Sequence, residues 1–463
     1  LIKINIFAEL TKLQVGGTTA YSVRKLFNYL LSILNLHLFM KKIFTALFAF
    51  VATLTASAQA WDGTAAIWTN GDGTEANPYL IETPANLAYL STSVNATETY
   101  EGKFFKVANE LNMGADAGRI FRPIGKFDNA FNTTTMQQED NSFYFKGTFD
   151  GNNKPIRNLM IQLEEEGELG GTGLFAAINA PAHIHNVILS NSVQVAGTLE
   201  TGSLVGHMTG GLVENILFQG RLNGTMNCGG IVAVADDGII QCCFNTGEIQ
   251  GTADVGGIIA QPVGNTVVKN CINAGPVTSS PSYGAGGIAS SLFDQSSVIN
   301  CYNTGKVTAP VLAGIFEPHA VVGDKSSSNG KVENNYYVEA TSGLSDPSAT
   351  AKTADEMKTQ EVLDALNAGQ DPTPFVKDEK GINSGFPVLA WLVKAASDGI
   401  DETVNAPTEG NFVINGREIT ASQKVSIFTV GGSLIGQGTH IALPAEGLYI
   451  VKSATTVAKI LVK

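Results

Sequence analysis

Charge is scarce in this chain: Asp, Glu, Lys and Arg make up 15% of its 463 residues. Basic residues are the scarcer kind, 29 against 42 acidic, and six of those 29 sit in the first 60 residues beside a single acid. The remaining 23 basic and 41 acidic residues leave the body of the chain at −18. A body with no basic stripe cannot neutralise phosphates, which excludes nucleic acid as a partner. Cysteine is sparse as well. Its five copies all lie between 228 and 301 without a C-x-x-C spacing, so neither a disulfide framework nor a zinc site is expected. Beyond Ala60 no apolar run approaches the roughly 20 residues a membrane helix needs. The mature chain is therefore expected to carry no transmembrane span.

What the chain has in quantity is glycine, 50 residues, and a repeat. An apolar–x–Asn–apolar step returns at Asn158-Leu159, Asn186-Val187, Asn215-Ile216, Cys242-Cys243, Asn270-Cys271 and Asn300-Cys301, about every 28 residues. A second marker keeps the same beat half a period away: Gly173-Leu174, Ser203-Leu204, Gly230-Ile231, Gly257-Ile258, Gly287-Ile288 and Gly314-Ile315. Two interleaved markers at one period indicate units that bury their apolar faces only by stacking on neighbours. Each unit holds an alternating strand such as 267–272, an Asn-x-Gly turn, a short strand and a Gly-Gly-Ile strand. Asn245-Thr-Gly247, Asn273-Ala-Gly275 and Asn303-Thr-Gly305 supply residues that tolerate tight, left-handed corners. The fold class read from this is all-β: a right-handed parallel β-helix of about 28-residue coils with short capping helices, followed by a small C-terminal antiparallel β-sandwich.

The chain divides accordingly. Met40-Lys-Lys42, the apolar stretch 43–56 and Ala58-Gln-Ala60 form a signal peptide over 40–60, with a mature start near Trp61. Residues 1–39 precede a complete signal and read as translated upstream sequence. The rival, a membrane segment over 26–38, is short and broken by Asn28, Asn35 and His37. A lead-in and cap occupies 61–153, with Thr83-Pro84 opening a helix. Repeats run over 154–337, the last stretched by residues around 323–330. A second cap spans 338–397, with Thr353-Ala-Asp-Glu356 as a helix-opening capping box and 383–391 as a closing strand and aromatic plug. A polar linker over 398–410 leads to the β-sandwich at 411–463.

If the coils stack at about 4.8 Å, Cys243, Cys271 and Cys301 form a vertical column. That spacing admits one oxidised pair and equally a buried ladder of small apolar side chains. Stacked Asn side chains would hydrogen-bond from coil to coil, satisfying buried amides.

With those residues in hand, the segment from about 75 to 390 resembles the GLUG-motif repeat proteins of bacterial surfaces. The resemblance rests on Gly202-Ser-Leu-Val-Gly206, on Gly229-Gly-Ile-Val232, Gly256-Gly-Ile-Ile259 and Gly286-Gly-Ile-Ala289, and on Asn77-Pro-Tyr79, Arg122-Pro-Ile-Gly125 and Gly147-Thr-Phe-Asp-Gly-Asn152. It implies a parallel β-helix on an exported, adhesin-like protein, with no catalytic residue belonging to the repeat. The last 60 residues resemble the sorting domains of the type IX secretion system in 425–428, 431–435, 443–449 and 459–463, with Phe428-Thr429 where that family has Tyr-Asp and Ser433 where it has Arg. This implies outer-envelope secretion machinery as a partner.

The function expected is that of an exported, non-catalytic protein at the cell surface, outer membrane or outside the cell, presenting a β-helix surface to glycans or to host or cell-surface proteins. The alternative is a secreted polysaccharide lyase or glycosidase. That chemistry needs charges at equivalent positions of neighbouring coils, yet the ten acidic and five basic residues of 171–337 hardly align. His183 and His185 share a strand face and could start a zinc site, but no third ligand is expected one coil away. No catalytic, cofactor or metal residue is expected. Contact residues are expected on the variable corner after the Gly-Gly-Ile strand: His207, Asp236, Asp237, Asn265 and Asp294. Tyr283 and Tyr337 are candidate aromatic platforms, together with Tyr302 and Tyr336, which share one slot. Such loops vary either because they recognise something or because nothing constrains them.

Overall fold

The computed structural model describes residues 60–132, 136–162, 170–280, 284–310 and 318–398, and in the C-terminal region 412–415, 418–429, 434–443, 447–452 and 457–462. The readings of 1–39, of the signal peptide up to Gln59 and of the linker from 399 onward lie outside the described residues.

One coil shows how the chain winds. Ile239–Gln241 and Phe244–Asn245 run along a first face, Glu248–Gly251 along a second, Ala253–Gly256 through a corner and Ile259–Val263 along a third. Val267–Lys269 then lands beside Ile239–Gln241, one coil on. Pairing is parallel on every face: Phe244, Ile272 and Tyr302 are neighbours on the first, Ile249, Val277 and Val307 on the second, and Ile259, Ala289 and Val322 on the third. Because strand side chains alternate, Ile240, Cys243, Ile249, Val255 and Ile258 all point inward and are fully buried. This is the parallel β-helix that the repeat period demands.

The Asn of the first marker bends the first face. Asn158, Asn186, Asn215, Cys242, Asn270, Asn300 and Asn334 all have φ between 48 and 57°, a left-handed backbone that Asn tolerates better than other L-residues. Their side chains bridge coils: Asn186 Nδ2 donates to Asp150 Oδ1 at 3.0 Å, Asn215 Nδ2 to Asn186 Oδ1 at 3.2 Å and Asn334 Nδ2 to Asn300 Oδ1 at 2.6 Å. Cys242 interrupts the column, and Trp391 Nε1 donates to its carbonyl at 2.9 Å.

A second Asn ladder runs inside the shaft, where the two markers meet. Asn245 Nδ2 donates to Asn273 Oδ1 at 2.7 Å, and Asn273 Nδ2 to Asn303 Oδ1 at 2.8 Å. All three side chains are fully buried. The second glycine of each Gly-Gly-Ile step, Gly230, Gly257 or Gly287, lies against this ladder. A Cβ on Gly257 would sit 2.1 Å from Gly287 O and 2.5 Å from Asn273 Cγ, and one on Gly287 would sit 2.4 Å from Asn303 Cγ. Bare backbone is required there because the carbonyl of the next coil and a buried amide share the space.

Cys243, Cys271 and Cys301 form the expected file. They are free thiols, fully buried, and the Cys271 N–H lies 3.3 Å from Cys301 Sγ. Of the two readings, the structure shows the buried ladder. Asn335 continues the file, accepting from Cys301 N at 2.9 Å.

Three details depart from the sequence reading. The third-face marker after Gly287-Ile288 is Ala320-Val321, since Ile288 N donates to Val321 O at 2.8 Å; Gly314-Ile315 lies outside the described residues. Residues 322–328 are not an insertion but a strand beside Ala289–Asp294, with a register shift between Ser291 and Phe293. The added length precedes that strand. Third, the capping box at Thr353 is present, with Thr353 N donating to Glu356 Oε2 at 2.7 Å, but it opens a short 3-10 turn at Glu356–Lys358, and the helix begins afresh at Gln360–Asn367.

At one end of the shaft, strand Tyr79–Ile81 starts the first-face ladder beside Phe104–Val107, and helix Pro84–Val94 buries Leu87, Leu90 and Val94. Thr83 caps this helix reciprocally with Asn86. At the other end, Asp346 Oδ2 accepts from Val321 N and Val322 N, each at 2.9 Å, and Thr350–Lys352 pairs with Tyr336–Val338. Within the stretch read as a second cap over 338–397, residues from Met357 to Leu392 lie along the flank of the shaft. Met357, Leu363, Leu366, Phe375, Leu389 and Leu392 pack on the outward column Leu217, Phe244, Ile272 and Tyr302. Gln370 and Asn270 join side chain to side chain at 2.8 Å across this seam. An apolar column facing outward on the shaft needs such a cover, and each large side chain so buried contributes about 1.5–3 kcal/mol. The C-terminal region is an antiparallel sheet of five strands, in which Glu418–Thr429 pairs with Phe412–Asn415, Leu434–Ala442 and Gly447–Lys452.

Candidate functional site

The corner residues come together in part. Asp236 and Asp237 end the third-face strand of one coil, Gly264 and Asn265 the next, and Asp294 the one after. Asp237, at φ 58°, accepts from Asn265 N at 2.7 Å and Asn265 Nδ2 at 2.8 Å through one oxygen. Asp294 Oδ2 accepts from Gly264 N at 3.2 Å. The backbone N–H of Asn265, followed by its side chain, holds the Asp237 carboxyl below its usual range. These carboxylates therefore satisfy the turn of the neighbouring coil, a structural duty that leaves the corner exposed but already bonded.

His207 is not part of that corner. It lies within strand Val205–Thr209, its ring stacked on Phe127 at 3.5 Å between centroids and its Nδ1 2.8 Å from Glu200 Oε2. Tyr337 is no platform either: it stacks inward beside Asn303 and is 4% exposed. Tyr302 and Tyr336 do share one slot, but Tyr302 is fully buried under the flank segment, donating to Pro387 O and accepting from Asn383 Nδ2 at 2.6 Å. An amphipathic ring at an outward position was covered by a later part of the chain. Tyr283 lies outside the described residues.

Among the described residues, the His183–His185 group gathers titratable side chains that the sequence reading missed. His185 pairs with Asp150 of the coil before and Glu214 of the coil after, so acids do sit one coil away on both sides of the His183–His185 pair. The two rings lie 4.4 Å apart. His183 Nε2 is 2.9 Å from Glu214 Oε1, Gln241 Nε2 donates to Glu214 Oε2 at 2.6 Å, and His185 Nδ1 is 3.6 Å from Asp150 Oδ1. Hydrogen bonds from His183 and then Gln241 hold the Glu214 carboxyl below its usual range against the opposing effect of burial. Burial lowers the His185 imidazole. Aligning Asp150 with Glu214 in the sequence requires following the register across two coils of unequal length, and Asp150 reads there only as a turn residue. Among the described residues no group of three or more His, Cys, Asp or Glu side chains is placed to hold a metal ion.

The second face offers a different surface. Its six strands, from Met160–Gln162 to Val307–Thr308, carry two outward rows. One runs through Gln194, Arg221 and Glu248; the other runs through Ala196, Asn223, Gln250, Thr278 and Thr308.

No family model matches the chain. A 157-residue stretch, 32% of the chain, is 27% identical to a Gly-rich membrane protein of Evansella cellulosilytica, and a 156-residue stretch is 29% identical to Halomucin of Haloquadratum walsbyi. The matches cover 15% and 1% of those two proteins. The chain is similar to them over the length of a few repeats, and what identifies it is its architecture. It is a parallel β-helix repeat protein.

Proposed function

We propose that the protein is an exported, non-catalytic, adhesin-like surface or envelope protein whose β-helix presents its side to glycans. The observation that carries this reading is the division of labour among polar side chains. The Asn side chains of the internal ladder and of the bend column are tied to one another, whereas the second face leaves a row of amides and hydroxyls turned to solvent. Contacts spread along such a face act by summation of weak bonds. The names of the two similar proteins, a membrane protein and Halomucin, agree with a surface location. So does the signal-peptide pattern of 40–60. Among the described residues, Trp61 is tied into the fold through its N–H, which donates to Asn112 O at 2.9 Å. No described helix is long and apolar enough to cross a membrane. The C-terminal sheet would carry the sorting information.

The second reading, a polysaccharide-acting enzyme, is favoured by the Asp150–His185–Glu214 column, which brings two carboxylates and an imidazole to one face. Its weakness is that each carboxylate is already bonded, Glu214 to His183 and Gln241, and Asp150 to Asn152 N at 2.7 Å and to Asn186. A glycan array combined with reducing-end and unsaturated-product assays on the same polysaccharides separates the two. Retention without turnover supports the surface protein; turnover abolished in Glu214→Gln makes it an enzyme. N-terminal sequencing of exported material tests the processing step, with a start at Trp61 expected.

A further inference from the structure

We infer that the second face binds a linear, uncharged polysaccharide laid along the shaft, across the strands. This rests on the glycan-contact reading above and names the surface and the ligand class for it.

Asn223, Gln250, Thr278 and Thr308 stand in register on four successive strands. Asn223, Gln250 and Thr308 are exposed and Thr278 is half-buried. At the usual strand separation the four span about 14 Å. None of the four side chains makes a hydrogen bond to another described residue. On the first face the equivalent outward column is closed on itself: Lys106 with Asp150 at 3.7 Å, Asn186 with Asp150, and Gln241 with Glu214. Free hydrogen-bonding capacity in a straight line thus distinguishes the second face from the first.

The chemistry of that line selects the ligand. Amides and hydroxyls each offer both a donor and an acceptor, which matches the double character of sugar hydroxyls. The row holds no charge, and in the row beside it Arg221 and Glu248 pair at 3.5 Å, with Lys306 a single exposed cation at the last rung. An anionic glycan would find no series of cations, and a protein partner would find no apolar anchor of the kind that concentrates binding energy. Each bond to an exposed side chain is weak, about 0.5–1.5 kcal/mol, so a monosaccharide would not be held. A polymer engaging successive rungs at once would be.

The test uses the full chain in affinity electrophoresis through gels containing glucomannan, xylan, dextran or polygalacturonate, at low and at physiological salt. The comparison is with the triple variant Asn223→Ala, Gln250→Ala, Thr278→Ala, whose unchanged thermal melting establishes that it is folded. The expected result is retardation by a neutral polymer, insensitive to salt, and weakened at least about tenfold in the triple variant. Retardation that the variant leaves unchanged, or salt-sensitive retardation by polygalacturonate alone, overturns this assignment while the glycan-contact reading stands. A concentration-dependent dimer that the triple variant abolishes also overturns it, by making the face a contact between copies. Absence of retardation by every polymer removes both the assignment and the reading beneath it.

Discussion

Replacing Asn273 with alanine tests the internal ladder where its cost can be worked out atom by atom. The side chain is fully buried and makes three bonds: Oδ1 accepts from Asn245 Nδ2 at 2.7 Å, and Nδ2 donates to Asn303 Oδ1 at 2.8 Å and Gly275 O at 3.0 Å. Asn303 Oδ1 keeps a partner, since Gly305 N donates to it at 2.9 Å. Asn245 Nδ2 keeps none in the described structure and becomes an unpaired buried donor, costing about 1–3 kcal/mol. Losing the other two bonds adds about 0.5–1.5 kcal/mol each, so a total of about 2–6 kcal/mol is expected. Urea unfolding followed by far-UV circular dichroism reads it as a fall in midpoint. Because coils are stabilised by their neighbours, the central repeats should open first. Asn245→Ala on the Asn273→Ala background should cost about 1–2 kcal/mol less than alone, because the orphaned amide is then gone. A loss below about 0.5 kcal/mol for Asn273→Ala, or strict additivity of the pair, would refute the ladder as a source of stability.

Gly257→Ala should prevent folding or cost more than about 3 kcal/mol, because its Cβ meets backbone at 2.1 Å. Gly102→Ala, at φ 72° with open space around it, should cost only about 1–2 kcal/mol, and equal melting losses for the two would contradict the packing argument. Burial pushes the Cys228 and Cys242 thiols up to about 12 and raises Cys243 and Cys301 well above the ordinary range. Cys271, flanked by Cys243 and Cys301, is protected by complete burial, so at about pH 8 the native protein should leave a disulfide reagent almost untouched, while denaturation releases five reactive thiols; rapid native labelling would show the column to be open. His185 has a folded pKa below its ordinary 6.5, so the unfolded chain takes up that proton first and stability falls as pH drops through 6.5. Melting between about pH 7.5 and 5.5 should show this slope, flattened in His185→Asn; an unchanged slope in the variant assigns it elsewhere. Glu214, lowered from 4.5, contributes its own loss of stability only at more acid pH.

Much of the shaft was readable from the chain because the signals that specify it are local. A left-handed bend favours Asn or Gly, with Cys242 the one exception in the described column, and a glycine under a neighbouring carbonyl admits nothing larger, so Asn186, Asn215, Asn270, Gly257 and Gly287 recur at the period of the coil. The contact surface was less legible. His207 and Tyr337 sit at positions that look like loop and platform in one dimension, yet the first is held inside a strand by Phe127 and Glu200 and the second is stacked inward beside Asn303. The His183–His185 cluster depends on Asp150 and Glu214 landing one coil to either side, which coils of unequal length conceal. Asp236, Asp237, Asn265 and Asp294 fall at successive third-face corners, but whether they were free or bonded to the adjacent turn was not readable.

The sequence by itself determined the winding: period, corner chemistry and alternation leave no way to bury these apolar residues except by stacking coil on coil. Tertiary structure decided which sides of that shaft remain open. The segment 353–398 could have closed an end or covered a flank. It took the flank because Leu217, Phe244, Ile272 and Tyr302 form an outward apolar column that water would otherwise face, and a surface made by residues about 28 apart exists only once the coils are assembled.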